Sequence, residues 1–108
     1  MNKRRTEAAV RRVNEMEKLL DECSEAVKDL TEQLDRMEAL KSGMTKLFDY
    51  YGSEKWHADR EIDERGDLPD DLKRGVLSED LIYDVITDAR DAAFKMLELG
   101  TGILRDRI

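Results

Sequence analysis

Hydrophobic residues follow an alternating three-and-four spacing from Val13 to Tyr51. Eleven of the twelve positions in this series are apolar, and Lys41 is the exception. The spacing places these side chains on one face and predicts a long N-terminal helix of coiled-coil character. Additional apolar residues beside the series widen the stripe to about three positions in seven, which favours a helical bundle. We call the following positions the seam: Val13, Met16, Leu20, Cys23, Val27, Leu30, Leu34, Met37, Lys41, Met44, Phe48 and Tyr51.

Two residues, Ser42-Gly43, interrupt this helical pattern directly after Lys41. Glycine in a helix interior costs about 1 kcal/mol relative to alanine. We therefore expect a kink or a break here, with helical segments over about 3–41 and 44–51. Gly52 is well placed to end the second segment in the left-handed conformation.

A short polar helix is predicted over 54–65, because Ser53 can cap its first turn. Its main apolar residue is Trp56, which we expect to dock against the long helix as an anchor. Contact with a ligand or partner is the alternative role for this tryptophan. A connecting loop over 66–78 follows.

The sequence Leu77-Ser78-Glu79-Asp80 has the features of a helix start. Ser78 can accept a hydrogen bond from the first turn, and Leu77 can pack on Ile82 as a hydrophobic staple. The acidic pair also suits the positive end of the helix dipole. We expect a C-terminal helix over about 79–105, with Gly75 serving a backbone turn just before it.

Together these elements predict one all-α domain over residues 1–108, in which the long N-terminal helix packs antiparallel on the C-terminal helix. The two helices would be about 70 Å and about 40 Å long. One C-terminal helix cannot cover the whole seam. Either the first helix folds back at Ser42-Gly43 or a second protomer supplies the cover, and we favour a homodimer.

Charge narrows the function classes. The net charge is −7, yet residues 1–12 contain five basic residues and one acidic residue. Most of the surface would repel phosphate, which leaves only weak nucleic-acid contact through this basic tip as a third hypothesis. The chain has one cysteine and no apolar stretch long enough to be a secretory signal or a membrane span, so we expect a cytoplasmic protein.

Strong catalytic or cofactor motifs are not found in the sequence. Glu54 and His57 have the Glu-x-x-His spacing of di-iron bundles, but that site needs two such motifs and His57 is the single histidine. We therefore predict no metal and no cofactor, and enzymatic activity is not the favoured hypothesis.

A specific pattern runs through residues 50–83. Tyr50-Tyr51-Gly52-Ser53 is followed by Trp56 and Asp59, by Leu-Pro-x-Asp-Leu-Lys-Arg-Gly-Val-Leu-Ser-Glu-Asp over 68–80, and by Tyr83. This pattern resembles the family of small bacterial proteins known as domain of unknown function 4298. The resemblance implies a stand-alone, helical, cytoplasmic bacterial protein, and the family brings no established activity with it.

The leading hypothesis is a non-enzymatic protein–protein interaction module that binds through residues 50–80. The alternative is a small enzyme or a ligand or metal binder, with its site where the middle segment crosses the bundle. For Arg74 the sequence offers Asp59, Asp71 or Asp80 as an acidic partner. The candidate binding residues are Tyr50, Tyr51, Trp56, Asp59, Arg74 and Asp80, and the candidate structural residues are Gly52, Gly75, Leu77 and Ser78.

Overall fold

The fold of the chain is entirely helical in a computed structural model that describes residues 2–107. It contains three α-helices and one short 3-10 helix, with no strand among the described residues. The α-helices are α1 (Lys3–Tyr50), α2 (Glu54–Glu64) and α3 (Glu79–Arg107), and the 3-10 helix is Gly75–Leu77. The predicted all-α class is confirmed, as is the order of a long first helix, a short middle helix and a C-terminal helix.

Helix α1 passes through Ser42-Gly43 as one continuous α-helix. The sequence predicted a kink or a break at this point, and the break is not observed. The cost of one glycine, about 1 kcal/mol, is small beside the hydrogen bonds that continue on both sides of it. Grouping residues by their contacts nevertheless divides the chain here, into compact units of residues 1–41 and 42–108. The expected single domain stays a prediction.

Both ends of the α1–α2 connection follow the sequence signals. Gly52 has a φ of 77°, the left-handed conformation predicted for it. The Ser53 hydroxyl accepts a hydrogen bond from the Trp56 backbone N–H at 3.2 Å and so caps α2. The chain thus turns directly from one helix into the next.

A Schellman motif ends α2. Gly66 also has a φ of 77°, and its N–H donates to the Asp63 carbonyl at 2.9 Å. The following N–H, of Asp67, donates to the Ile62 carbonyl at 3.2 Å. This ending releases the chain into the loop that leads to the 3-10 helix.

The buried core of the unit 42–108 is small. Its buried hydrophobic residues are Trp56 in α2, Leu77 in the 3-10 helix and Ile82 in α3. The 3-10 helix packs against both α2 and α3, so three residues of loop hold the two helices together. Most of the candidate residues lie in the region where α2, the 3-10 helix and the start of α3 meet.

Helix α1 contains no buried residue. The seven Val, Leu and Met residues of the seam between Val13 and Met37 are 42–62% exposed. The antiparallel packing of this helix on α3 stays a prediction. None of the helices described between residues 2 and 107 has an apolar stretch long enough for a membrane span.

Candidate functional site

The junction, which we define as residues 50–80, is organised around Trp56. This side chain is only 3% exposed, and its Nε1–H donates to the Val76 carbonyl at 3.0 Å. The Tyr51 ring meets the indole edge to face, with 5.1 Å between the ring centroids. Burial with a satisfied N–H is the arrangement expected of an anchor. Trp56 therefore fastens α2 to the 3-10 helix and offers almost no surface to a partner.

Glu79, the first residue of α3, accepts hydrogen bonds from two side chains that also contact the Trp56 indole, those of Arg60 and Tyr51. Arg60 places its guanidinium 4.8 Å from the Trp56 ring centroid and donates to Glu79 Oε1 at 2.9 Å. The Tyr51 hydroxyl donates to the Glu79 carbonyl at 3.1 Å. Sequence reasoning missed Arg60, although it follows Trp56 by four residues and so shares its helix face. These contacts set where α3 begins.

Tyr50 and Asp59 form a close pair at the end of α1. The tyrosine hydroxyl donates to Asp59 Oδ2 at 2.6 Å. Burial, followed by this hydrogen bond and the negative charge of Asp59, raises the pKa of Tyr50 to about 12. The hydroxyl therefore remains protonated at neutral pH, and it acts as a hydrogen-bond donor and not as a base.

Arg74 is held by an acid that the sequence did not single out. Its Nη1 donates to Asp63 Oδ1 at 2.6 Å, and its Nη2 donates to the Pro69 carbonyl at 2.8 Å. Longer contacts of 3.4 Å reach the carbonyls of Leu72 and Asp70. The fork of the guanidinium thus binds an α2 carboxylate and the loop backbone at the same time. None of the three expected acids, Asp59, Asp71 or Asp80, is the partner found for Arg74.

Gly75 and Ser78 shape the entry into α3. Gly75 has no positive φ, and a Cβ added to it would lie 3.0 Å from Leu81 Cδ1. Gly75 does lie in a turn, since its carbonyl accepts from the Ser78 N–H at 3.0 Å in the 3-10 helix, but neither φ nor the contact with the exposed Leu81 side chain requires a glycine there. Ser78 Oγ accepts from the Asp80 N–H at 3.2 Å, as expected for an N-cap, and the Asp80 side chain is exposed. The expected staple residues Leu77 and Ile82 are both buried.

Two depressions lie at the junction. The first, of about 270 Å³, includes Tyr50, Asp59 and Arg74 in its wall, so three candidate residues do meet there. Tyr50 and Asp59 bind each other, and Arg74 binds Asp63 and backbone carbonyls. Such mutual pairing is typical of a structural network. The second, of about 340 Å³, has an almost wholly apolar wall: Leu47, Lys73, Gly75, Val76, Leu81, Ile82 and Val85.

No group of three or more His, Cys, Asp or Glu side chains within residues 2–107 is arranged to hold a metal ion. Cys23 lies far along the chain from the junction, on the exposed seam of α1. The contacts of the junction join α2, the 3-10 helix and α3.

Comparison with known families identifies the chain. The model of a family described as a domain of unknown function, DUF4298, matches residues 13–99. The chain belongs to the DUF4298 family. The DUF4298 match begins at the first seam residue, Val13, and ends at Leu99 within α3, so it includes the seam as well as the junction. No curated protein and no solved structure matches the chain.

Proposed function

We propose that this DUF4298 protein is a non-enzymatic protein–protein interaction module and that it binds a second copy of itself through the seam of α1. The observation that carries the proposal is the exposure of the seam, whose Val, Leu and Met residues between Val13 and Met37 are 42–62% exposed. A continuous apolar stripe of this length on a helix is typical of a surface that another helix covers. The expected setting is the bacterial cytoplasm, as the sequence resemblance implies.

Side chains at the junction support a structural role for residues 50–80. Trp56 is buried, Tyr50 binds Asp59, and Arg74 binds Asp63. Because these groups already have partners within the chain, we move the proposed binding surface from residues 50–80 to the seam. The same pairing disfavours the alternative of an enzyme or ligand binder, which would need polar groups open to a substrate.

The magnitude of the hydrophobic effect indicates how sensitive the dimer should be to a single substitution in the seam. Full burial of a Val, Leu or Met side chain is worth about 1.5–3 kcal/mol, so completing the burial of a half-exposed one contributes about 1 kcal/mol. The burial of seven such residues on each of two copies contributes a free energy comparable with the cost of association, which is about 4–15 kcal/mol. The net free energy of association is therefore small, and one charge placed in the seam should disrupt the dimer.

Light scattering tests the proposal on matched variants. We expect the wild-type protein to have twice its chain mass of 12.5 kDa. Leu20→Glu puts a carboxylate on the seam and should yield the monomer mass, because a charge cannot be buried there without a partner. Ala39→Glu adds the same charge two residues after Met37, off the seam, and should leave the dimer intact.

A wild-type monomer at concentrations of about 0.1 mM, far above the Kd of a typical specific dimer, would refute the homodimer. Equal masses for the Leu20→Glu and Ala39→Glu variants would instead refute the seam as its interface. A circular dichroism spectrum of each variant establishes whether it is still helical. Weak contact of the basic tip with nucleic acid stays a prediction.

A further inference from the structure

Charge is distributed unevenly along α1. Residues 3–12 carry five basic side chains and one acidic side chain. Residues 31–40 carry three acidic side chains, those of Glu32, Asp35 and Glu38, and one basic side chain, that of Arg36. All of these residues are exposed apart from the partly covered alanines 8 and 9. This part of the helix therefore has a basic end at residues 3–12, and the remainder, including the end at residues 31–40, is predominantly acidic.

This asymmetry distinguishes the two ways in which a pair of α1 helices can align. A parallel pair in register places the two positive ends side by side and the two negative ends side by side, which is repulsive. An antiparallel pair places each positive end beside a negative end. Opposite charges near the surface attract, and the orientation of helix pairs is commonly set by such flanking charges.

The spacing of the seam allows antiparallel registers that differ by seven residues, and the charges distinguish among them. We propose that two copies of α1 pair antiparallel, so that residues at the same level have numbers that add to 43. Val13 then faces Leu30 of the second copy, Met16 faces Val27, and Leu20 faces Cys23. In this register residues 3–12 lie level with residues 31–40, and the opposite charges meet. The inference rests on the proposed homodimer and adds its orientation and alignment.

The neighbouring registers satisfy fewer of these conditions. If the numbers add to 50, the seam residues still meet, but the basic end lies level with residues 38–47, which hold Lys41 and Lys46 against one acid, Glu38. If they add to 36, the helices overlap over seven fewer residues, and Val27 and Leu30 lose the seam residues that they face in the register of 43. The register of 50 overlaps more of the seam but brings basic residues together, and the register of 36 keeps the charge attraction but overlaps less of the seam. The register of 43 combines charge attraction with the longer apolar overlap.

Residues beside the seam agree with the same alignment. Leu19 and Ala26 each precede a seam position by one residue, and the numbers of the pair add to 45. Leu19 directly precedes the seam residue Leu20, and Ala26 directly precedes the seam residue Val27. In an antiparallel pair, residues that precede such core positions lie side by side across the interface, and their residue numbers add to two more than the numbers of facing core residues. Leu19 of one copy therefore meets Ala26 of the other. The widened stripe is accounted for without a third helix at this level.

Disulfide cross-linking tests orientation and register together. The background is Cys23→Ala, so that no other thiol is present. Three proteins are compared: Val13→Cys, Leu30→Cys, and the double variant with both changes. Positions 13 and 30 of one helix are about 25 Å apart, whereas a disulfide needs Cα atoms within about 7 Å. In the proposed dimer the double variant should cross-link at both ends, and each single variant should stay uncross-linked.

Each remaining outcome decides against the inference. Cross-linking of both single variants would show a parallel, in-register pair and overturn the antiparallel alignment. A dimer in which no variant cross-links would overturn the register. Light scattering before oxidation separates these results from failure of the homodimer itself, because a monomeric background protein would refute the proposed function and not only its geometry.

Discussion

Replacing Arg74 tests how the junction is held together. The guanidinium joins Asp63 in α2 to the loop, with hydrogen bonds of 2.6 Å to the carboxylate and 2.8 Å to the Pro69 carbonyl. The side chains of Arg74 and Asp63 are 32% and 26% exposed, so the pair is partly shielded from water. Arg74→Ala removes all of these bonds at once, whereas Asp63→Ala removes only the contact with the carboxylate.

The expected losses follow from the number and burial of the bonds. Hydrogen bonds to charged groups contribute about 1.5–3 kcal/mol when shielded, and exposed ion pairs contribute about 0.2–1 kcal/mol. We expect Arg74→Ala to lower the free energy of unfolding by about 2–3 kcal/mol and Asp63→Ala by about 1 kcal/mol. Arg74→Lys should fall between them, because one ammonium group cannot reproduce the fork. Arg65→Ala is the matched control, since Arg65 and Asp67 are 3.6 Å apart and about two-thirds exposed.

Urea unfolding followed by the fluorescence of Trp56 provides the assay. Trp56 is the single tryptophan and lies buried at this junction, so its emission reports on local unfolding. Equal losses for Arg74→Ala and Asp63→Ala would refute the role assigned to the Pro69 carbonyl contact. A loss for Arg65→Ala as large as that for Arg74→Ala would refute the argument from burial.

Three further predictions concern backbone conformation at two glycines and proton binding at Tyr50. Gly43→Ala should raise the free energy of unfolding by about 1 kcal/mol, because nothing lies within 4 Å of the new Cβ. Gly52→Ala should lower it by about 1 kcal/mol, since φ is 77° there; equal shifts in urea midpoint would contradict this. In an absorbance titration Tyr50 should ionise near pH 12, against about 10 for an ordinary tyrosine. Because the folded pKa is raised, Tyr50 should contribute stability below pH 10 that is lost between pH 10 and 12; a Tyr50→Phe variant with the same pH dependence would refute this.

Local sequence signals predicted the helix ends well. The caps at Ser53 and Ser78 and the left-handed Gly52 act within a few residues, so their physics is visible in the sequence. Ser42-Gly43 shows the limit of such signals. One unfavourable glycine does not break a helix when the residues on both sides favour helix formation. The free-energy difference between a continuous, a kinked and a broken helix is too small to be predicted from helix propensities.

The sequence indicated which residues form the junction better than it indicated which of them contact each other. Tyr50, Asp59 and Arg74 were expected to meet, and they line one depression. The partner of Arg74 was missed because the choice among nearby acids depends on how the loop places the guanidinium relative to one face of α2. Gly66 ends α2 three residues after Asp63, and the loop that follows brings Arg74 to the Asp63 carboxylate. Tertiary geometry of this kind is not encoded in spacing along the sequence.

The distribution of burial also bears on how α1 can remain folded. Helices in water gain most of their stability from packing of an apolar face, and α1 has no buried residue. The unit 42–108 has its own small core at Trp56, Leu77 and Ile82, whereas the part of α1 before residue 42 contributes no buried residue. If a second copy covers the seam, folding of this segment and dimerisation are one equilibrium. Leu20→Glu should then reduce helix content together with the mass of the assembly, and the helix content of the wild-type protein should fall as it is diluted whereas that of the monomeric variant should not change.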